Sequence, residues 1–586
     1  MVNNVIFFYY SNPDDQILYF SLGQKLEKIK NTLIFDSLQL NLTFIDLTAH
    51  YLKKHQVGKF IIAGKQPGIM KVLAAESMLK AGKNPDDVYI FDFDEYGVKA
   101  GSDDNLIVSY IYCLIKGIDP GVELSGSKHK VIPETLIIGG GIAGIQAALE
   151  IAGSGSKVYI AERSGTIGGH MATFDKTFPT LDCSACILTP KMVEAGQYPD
   201  IELITNSEII KLEGESGQYK VTILKKARRV NINLCKGCGE CSEKCPVTVP
   251  NEFDQGTMLR KAIYIPFPQA VPNKYMVDAE NCLYVSKGKC GNCLKACPVE
   301  NCINLDETDE TITLNVGNII VATGFSPFEA RKAKQYGYGL YPNVLTSLEF
   351  ERLVNAAGPT GGKIKCRTYN KKGFSVFTDE QKTPESIAFI HCVGSRDVNY
   401  QSYCSKVCCM YTLKLAHLAK EKIPDAEVYE FYIDMRCFGK GYEEFYNRIV
   451  DEGIHIIRGR TTKIEQEEDM LIIKSEDIDN CKIVEYKVDM VVLSVGLQPN
   501  DDTPELAEIL GLQLGEDGWF KEQNMIMDNT STVKPGIFLA GACQGPRDIP
   551  DTVSHASAAA AKIIQSIMNN NIAVVSNKDI EAIMDK

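Results

Sequence analysis

Histidine is scarce, basic tracts are missing and no apolar stretch is long. The eight histidines show no metal-binding spacing. No run approaches the roughly 18 apolar residues of a membrane span. The N-terminus, MVNNVIFFYYSNPDD, lacks the basic region and small-residue cleavage site of an export signal. These absences predict a soluble, cytoplasmic chain with no transmembrane segment. The 62 basic and 75 acidic residues leave a formal charge of -13, and with no Lys/Arg-rich run this argues against nucleic acid as a partner. Low-complexity tracts are also missing, and at 586 residues the chain is long enough for three or four domains. Cysteine, in contrast, is plentiful at 20 residues. Disulfide frameworks belong to short exported chains; here the cysteines fall in close groups, so most should be reduced and many should bind metal.

The sharpest group is NLCKGCGECSEKCPV, with Cys235, Cys238, Cys241 and Cys245 in the pattern C-x2-C-x2-C-x3-C-P. In such a run three thiolates wrap one 4Fe-4S cube and the fourth reaches a neighbouring cube, so a second copy should follow. It does: Cys290, Cys293 and Cys297 precede a proline, with Cys282 displaced upstream by a longer loop. Crossed ligation assigns one cluster to Cys235, Cys238, Cys241 and Cys297, and the other to Cys282, Cys290, Cys293 and Cys245. Zinc is the alternative, but zinc ribbons need only two C-x2-C pairs and no proline-followed fourth cysteine. Cys302 is left over and reads as a small buried hydrophobe.

Upstream, ETLIIGGGIAGIQAALEIAGSGSKVYIAER reads as strand, glycine turn, helix and strand. Gly139 and Gly141 let the turn tighten under a pyrophosphate, Gly144 lets the helix pack on the strand, and the helix N-terminus faces the phosphate charge. Glu162, at the end of the second strand, can accept ribose hydroxyls. A generic strand-to-helix turn is the bland alternative. Three further pieces resemble the FAD domain of flavoproteins with two dinucleotide-binding domains, the thioredoxin reductase and glutamate synthase type. They are ERSGTIGGHMA, with Arg163, Gly168, Gly169 and His170; GNIIVATGFSP, with Thr323 and Gly324; and PGIFLAGACQG, with Gly541 and Ala542. The resemblance implies FAD bound by these residues. One departure stands out: such enzymes usually follow the last glycine with an Asp, whereas Gly541 is followed by Ala542, Cys543 and Gln544, so another group must hold the ribityl chain.

The expected order is an α/β chain with an N-terminal α/β domain at 1–130 and an FAD-binding domain in three parts, 131–227, 309–345 and 486–586. A ferredoxin-like module is inserted at 228–308, and a second Rossmann-like domain spans 346–485. In that second domain PESIAFIHCVG reads as a buried strand and SKVCCMYTLKLAHLAKEK as a helix. An ordinary reductase binds NAD(P)H here, yet the glycine fingerprint is missing. Cys392 stands at the strand end, and Cys404, Cys408 and Cys409 surround the helix start, where thiolates are favoured. They can hold an iron-sulfur cluster, or they can be buried or redox thiols.

The stretches TLDCSACILTPKM, CVGSRD, YCSKVCCMYTLK, YIDMRCFGKGYEEFY and GACQGPRDIPDTVSHASAAAAK resemble the A-type subunit of heterodisulfide reductase, a flavin-based electron-bifurcating family, from about residue 130 to 570. The resemblance implies a third cluster on Cys392, Cys404, Cys408 and Cys409, so that electrons reach the flavin through iron and not by hydride. It also implies other subunits of an anaerobic complex as partners, a ferredoxin or a hydrogenase or dehydrogenase module among them, and a homodimer within it. Lys414 falls on an apolar helical stripe with Val407, Tyr411 and Leu418. It is a candidate neighbour of the flavin N5/N1 region, where a positive charge stabilises reduced flavin; the alternative is a snorkelling lysine. Cys183 and Cys186 can ligate a cluster, act as a dithiol or simply pack, and His391 reads as a packed strand-end residue.

The chain departs from the family pattern at both ends. Only Cys113 precedes residue 183, so the N-terminal domain is expected to serve as a docking scaffold, and a partner is expected to supply the relay of a C-terminal ferredoxin module. The expected function is electron transfer by an FAD- and iron-sulfur-dependent member of such a complex, bifurcating or confurcating. A self-sufficient NAD(P)H reductase of the glutamate synthase small-subunit type and a cofactor-poor assembly scaffold are the alternatives.

Overall fold

The computed structural model describes residues 128–569 except 370–374, 378–379 and 527, together with 572–573. Before residue 128 it describes 3–9, 32–37, 48–50, 52–53, 57–64, 68–83, 85 and 88–92. The chain divides into two compact units, one from residues 1–127 and 575–586 and one from 128–574. In the first, four parallel strands run in the order Thr32–Ser37, Asn3–Tyr9, Val57–Gly64, Val88–Asp92. The run Phe60, Ile61, Ile62 is buried with Ala74 and Met78 of the helix Gly68–Lys80, the apolar pattern of a strand covered by a helix. Cys113 lies outside the described residues.

The second unit carries two parallel five-stranded sheets. The first runs Ile537–Leu539, Asn318–Val321, Thr135–Ile138, Val158–Glu162, Ile201–Thr205. Strands buried on both faces read as continuous apolar runs, and Thr135–Ile138 and Asn318–Val321 are buried at every position. The helices Ile142–Gly153 and Ile549–Asn569 contribute the alanines Ala147, Ala148, Ala556, Ala559 and Ala560 to one core, and such small side chains let helix backbones approach closely. An antiparallel meander of Ser207–Glu215, Gln218–Lys225 and Glu310–Val316 follows. Its last two strands are separated by an insert of two short ribbons and the helical turns Glu240–Glu243, Leu283–Lys287 and Asn292–Ala296.

The second sheet runs Val344–Thr346, Met490–Val495, Ser386–Val393, Glu427–Tyr432, His455–Arg458, with its own meander, Thr461–Glu467, Met470–Asp477 and Lys482–Val488. It therefore takes in Val344 and Met490–Val495, beyond the 346–485 span expected from sequence. The reason is physical: MVVLSV is buried at all six positions, and such a run satisfies either sheet until its pairing is known.

The mixed α/β architecture with two Rossmann-type sheets matches the expectation. Among the described residues, no helix is long and apolar enough to cross a membrane.

Candidate functional site

Two strand-to-helix connections define the site. In the first sheet, Ile138 leads through three glycines into the helix Ile142–Gly153. Gly139 has φ +109°, where a side chain is strained, and a Cβ there would stand 2.4 Å from Ala322 O. A Cβ on Gly144 would stand 2.0 Å from Gly139 O, so glycine is what lets helix and strand touch. The Glu162 carboxylate accepts from Gly140 N at 2.7 Å and Ser164 N at 2.8 Å, which fixes the acid beside the turn. In the second sheet the connection is different in kind. The strand Ser386–Val393 and the helix Cys408–Lys422 are separated by a loop tied down by its own polar groups. Leu497 N donates to Ser405 Oγ at 2.9 Å, Tyr403 OH to Leu497 O at 2.9 Å, and Arg396 to Asp434 at 2.6 Å.

Between these connections lies a cavity of about 870 Å³, within the range that holds cofactors. Gly139, Gly141, Glu162, Arg163, Gly169, His170, Thr323, Gly324 and Ala542 line it. Gly144, Gly168 and Gly541 stand behind this wall: Gly541 N donates to His555 Nδ1 at 3.0 Å, and the other two seat the turn against its helices. His170 stacks on Phe325 with centroids 4.5 Å apart, and its Nε2 meets Phe325 O at 2.9 Å. Burial lowers its pKa, which keeps the imidazole neutral. Phe253 and Phe267 of the insert form another part of the wall. The far side is Val407, Tyr411, Lys414 and Val495 to Leu497, with Tyr411 OH donating to Val495 O at 2.6 Å.

Lys414 therefore faces the cavity, but it is not alone. Its Nζ donates to Glu351 at 2.8 and 2.6 Å and to Lys176 O at 3.0 Å, with both charged side chains nearly sealed from solvent, at 3% and 4% exposure. It does not snorkel. Glu351 also accepts from Asp175 N at 2.7 Å. Glu351 lies on the helix Ser347–Val354, and nothing in that helix's sequence marks it as the partner of Lys414; a buried lysine's need for a counter-charge is the only signal. Arg547 and Asp548 line the cavity where the usual Asp after the last glycine is missing, and Arg547 Nε is buried without a partner.

Behind the far wall the thiols gather. Cys408 and Cys409, 1% and 2% exposed, occupy the first turn of the helix whose next turns present Tyr411 and Lys414. Hydrogen bonds between Cys392 and Cys408, and between Cys408 and Cys409, join three of the four expected residues. Contact with Cys408 lowers Cys392 to about 7 and Cys409 to about 4, with His391 assisting in both, while Cys408, between them, is raised. Burial opposes a charge on His391, but its bonds with Cys409 and Glu430 raise it to about 10; the Nε2 to Glu430 distance is 3.1 Å. His391 is thus packed as expected, and paired as well. Cys404 takes a different contact, accepting from Lys406 N at 3.4 Å. Cys392 itself has φ +58°, a backbone cost of about 1–3 kcal/mol.

In the insert, Cys245, Cys282, Cys290 and Cys293 line one small cavity with Ile263, Val277 and Leu305, and Cys290 is held at φ +116°. Burial raises Cys241 to about 12, with Cys235, Cys297 and Cys293 adding to the rise, and Cys293 to about 11, with Cys282 and then Cys245 adding to it. Cys302 is buried and bonds Cys297 and Cys235. Among the described residues, no three His, Cys, Asp or Glu side chains converge as a single metal ion requires. Cys183 and Cys186 are joined by a disulfide.

The family model for pyridine nucleotide-disulphide oxidoreductases matches residues 426–560, and that for NAD(P)-binding Rossmann-like domains matches residues 137–198. The chain is 42% identical over 527 residues to the CoB--CoM heterodisulfide reductase iron-sulfur A-type subunit of Methanocaldococcus jannaschii, covering 88% of this chain and 78% of that one. It is 46% identical over 442 residues to the A-type subunit of the H(2):CoB-CoM heterodisulfide,ferredoxin reductase of Methanothermobacter thermautotrophicus, covering 75% of this chain and 64% of that one. To a protein of Archaeoglobus profundus that is itself like the A-type subunit of heterodisulfide reductase it is 44% identical over 467 residues, covering 75% and 66%. This chain is an oxidoreductase that belongs to the family of heterodisulfide reductase A-type subunits.

Proposed function

We propose that the chain is an electron-transfer component holding one FAD and three four-iron clusters, working in a multi-subunit, anaerobic heterodisulfide reductase-like complex that splits or merges electron pairs. The observation that carries this reading is that a single cavity touches three parts: the glycine turn, the cysteine-rich insert, and the helix that begins at Cys408 and Cys409. A nicotinamide site would need a tight glycine turn on the second sheet, and a loop running from Gly394 to Val407 stands there instead.

The residues suit the groups. A glycine turn with Glu162 beside it accepts a pyrophosphate and a ribose, and the buried, unpartnered Arg547 Nε offers a donor near the position where the usual aspartate is missing. Gly139, Gly141, Glu162, Arg163, Gly169, His170, Thr323, Gly324 and Ala542 would contact the FAD, with Gly144, Gly168 and Gly541 shaping the wall behind. When bound, FAD supplies a carrier able to exchange electrons in pairs or singly. Lys414 and Glu351 hold a fixed charge pair against it, so a proton or charge shift at Glu351 would expose the Lys414 ammonium to the cofactor. Tyr411 and Val407 keep water from that side.

The insert would hold two clusters in the crossed sets, Cys235, Cys238, Cys241 and Cys297, and Cys282, Cys290, Cys293 and Cys245. Zinc ribbons need only two C-x2-C pairs, whereas each run here ends in a further cysteine followed by proline, as the four-iron pattern does. Cys392, Cys408 and Cys409 with Cys404 would hold the third, which requires Cys404 to turn toward the other three. The names of the relatives support partners that are other reductase subunits, and ferredoxin as an electron donor or acceptor; a hydrogenase or dehydrogenase module and a homodimer within the complex belong to this proposal alone. Anaerobic purification with iron and flavin quantitation tests the reading: one FAD and about twelve irons per chain are expected, and about eight irons would confine the clusters to the insert.

A further inference from the structure

We propose that Cys183 and Cys186 form a second redox site, a surface dithiol that exchanges with the disulfide of an external thiol compound or protein. This goes beyond the electron-transfer reading and does not depend on it. The two residues are joined by a disulfide with Cα atoms 5.3 Å apart, inside the ordinary range for such bridges, and both are exposed. Structural free cysteines are normally buried and inert; this pair is exposed.

Local structure favours reactivity. Cys183 is the N-cap of the helix Ser184–Gln197, and its Sγ accepts from Cys186 N at 3.2 Å. When the bridge opens, the same N–H and the positive end of the helix stabilise a thiolate at that sulfur. A four-iron cube takes four thiolates; this pair supplies two, and they are bonded to each other. Ile187 and Val193 are 40% and 39% exposed on the same helix, beside the exposed Glu194 and Gln197.

The pair also adjoins a segment that lines the large cavity. Cys183 bridges Lys176 across a hairpin whose other arm, Phe174 to Phe178, lines that cavity. Ser184 N donates to Asp175 O at 3.0 Å, and Asp175 N donates to Glu351. A hydrogen-bonded path thus runs from Ser184, next to Cys183, through Asp175 to the Lys414–Glu351 pair.

The exchange balances. The Cys183 thiolate attacks one sulfur of the partner disulfide, whose S–S bond breaks and releases one partner thiolate, which takes up a proton. The Cys186 thiolate then attacks the Cys183 sulfur and releases the second partner thiol. The pair loses two electrons and two protons, the partner disulfide gains both, and an external dithiol reverses the reaction.

The test uses the anaerobically purified full chain equilibrated with mixtures of reduced and oxidised dithiothreitol, then alkylated and digested. The tryptic peptide from Thr177 to Lys191 carries only these two cysteines. Both should take label together, or neither, as the reduced fraction rises. In Cys186→Ser, Cys183 should capture an aromatic disulfide probe at least about ten-fold faster than Cys186 does in Cys183→Ser, with iron and flavin contents unchanged in both. A peptide that never takes label under reduction, label appearing on one cysteine independently of the other, or a loss of about four irons in Cys183→Ser would each overturn the proposal, the last by making the pair cluster ligands.

Discussion

Replacing Cys408 with serine is expected to remove about four irons per chain and one EPR signal, leaving the other two signals in place. The effect is large because Cys408 occupies the middle of the thiol group. It bonds both Cys392 and Cys409, is almost fully buried, and opens the helix that carries Tyr411 and Lys414 to the cavity. Serine is close in volume and its hydroxyl is tolerated at a helix start, so the fold should survive. The flavin should stay bound, since the residues of its proposed cradle lie on the first sheet. Cys404→Ser separates two possibilities. If Cys404 turns to complete the set, the same signal disappears; if it stays with Lys406, the signal is unchanged and about twelve irons remain. Persistence of all three signals in Cys408→Ser would place the third cluster elsewhere.

Glu351→Ala is expected to destabilise the chain by about 3–5 kcal/mol, because it strands the Lys414 ammonium in a sealed site. It also removes the acceptor of Asp175 N, which holds the hairpin against the cavity. The double variant Glu351→Leu with Lys414→Met should recover most of that loss, since a buried pair replaced by well-packed apolar groups is often neutral for stability. Thermal melting of the anaerobic proteins separates the two outcomes. A Glu351→Ala midpoint equal to that of the unaltered chain would mean that Lys414 is solvated or neutral. The recovered double variant then isolates function: a flavin potential shifted relative to the unaltered chain assigns the pair to tuning the cofactor, whereas an unchanged potential assigns it to structure alone.

Local chemistry is legible in the sequence. The glycine turn, Glu162 and the two ferredoxin runs each depend on residues within about thirty positions, where spacing maps directly onto geometry. Crossed grouping is an expectation of the motif, whose fourth cysteine points away; in the structure Cys245 lines one cavity with Cys282, Cys290 and Cys293. Lys414 is visible as a break in an apolar stripe, but Glu351, 63 residues earlier, is not; a helix reading SLEFERLV gives its glutamates no distinguishing environment. The same limit explains Met490–Val495, which pairs with Ser386–Val393 across a long separation. For Cys183 and Cys186 the spacing suits a cluster, a dithiol or packing equally, and only their exposure and mutual bond tell these apart. Cys392, Cys408 and Cys409 group together without Cys404, which contacts Lys406 instead.

The second sheet decides what kind of oxidoreductase this is, for part of it falls within a match to pyridine nucleotide-dependent enzymes while its strand-to-helix loop carries thiols in place of glycines. Mixing the anaerobic, flavin-loaded chain with NADH or NADPH and following the flavin absorbance distinguishes the two. No bleaching is expected from either nucleotide, while a low-potential one-electron donor should bleach the same sample; rapid, saturable bleaching by NADPH alone would show that a nicotinamide, and not iron, delivers the electrons.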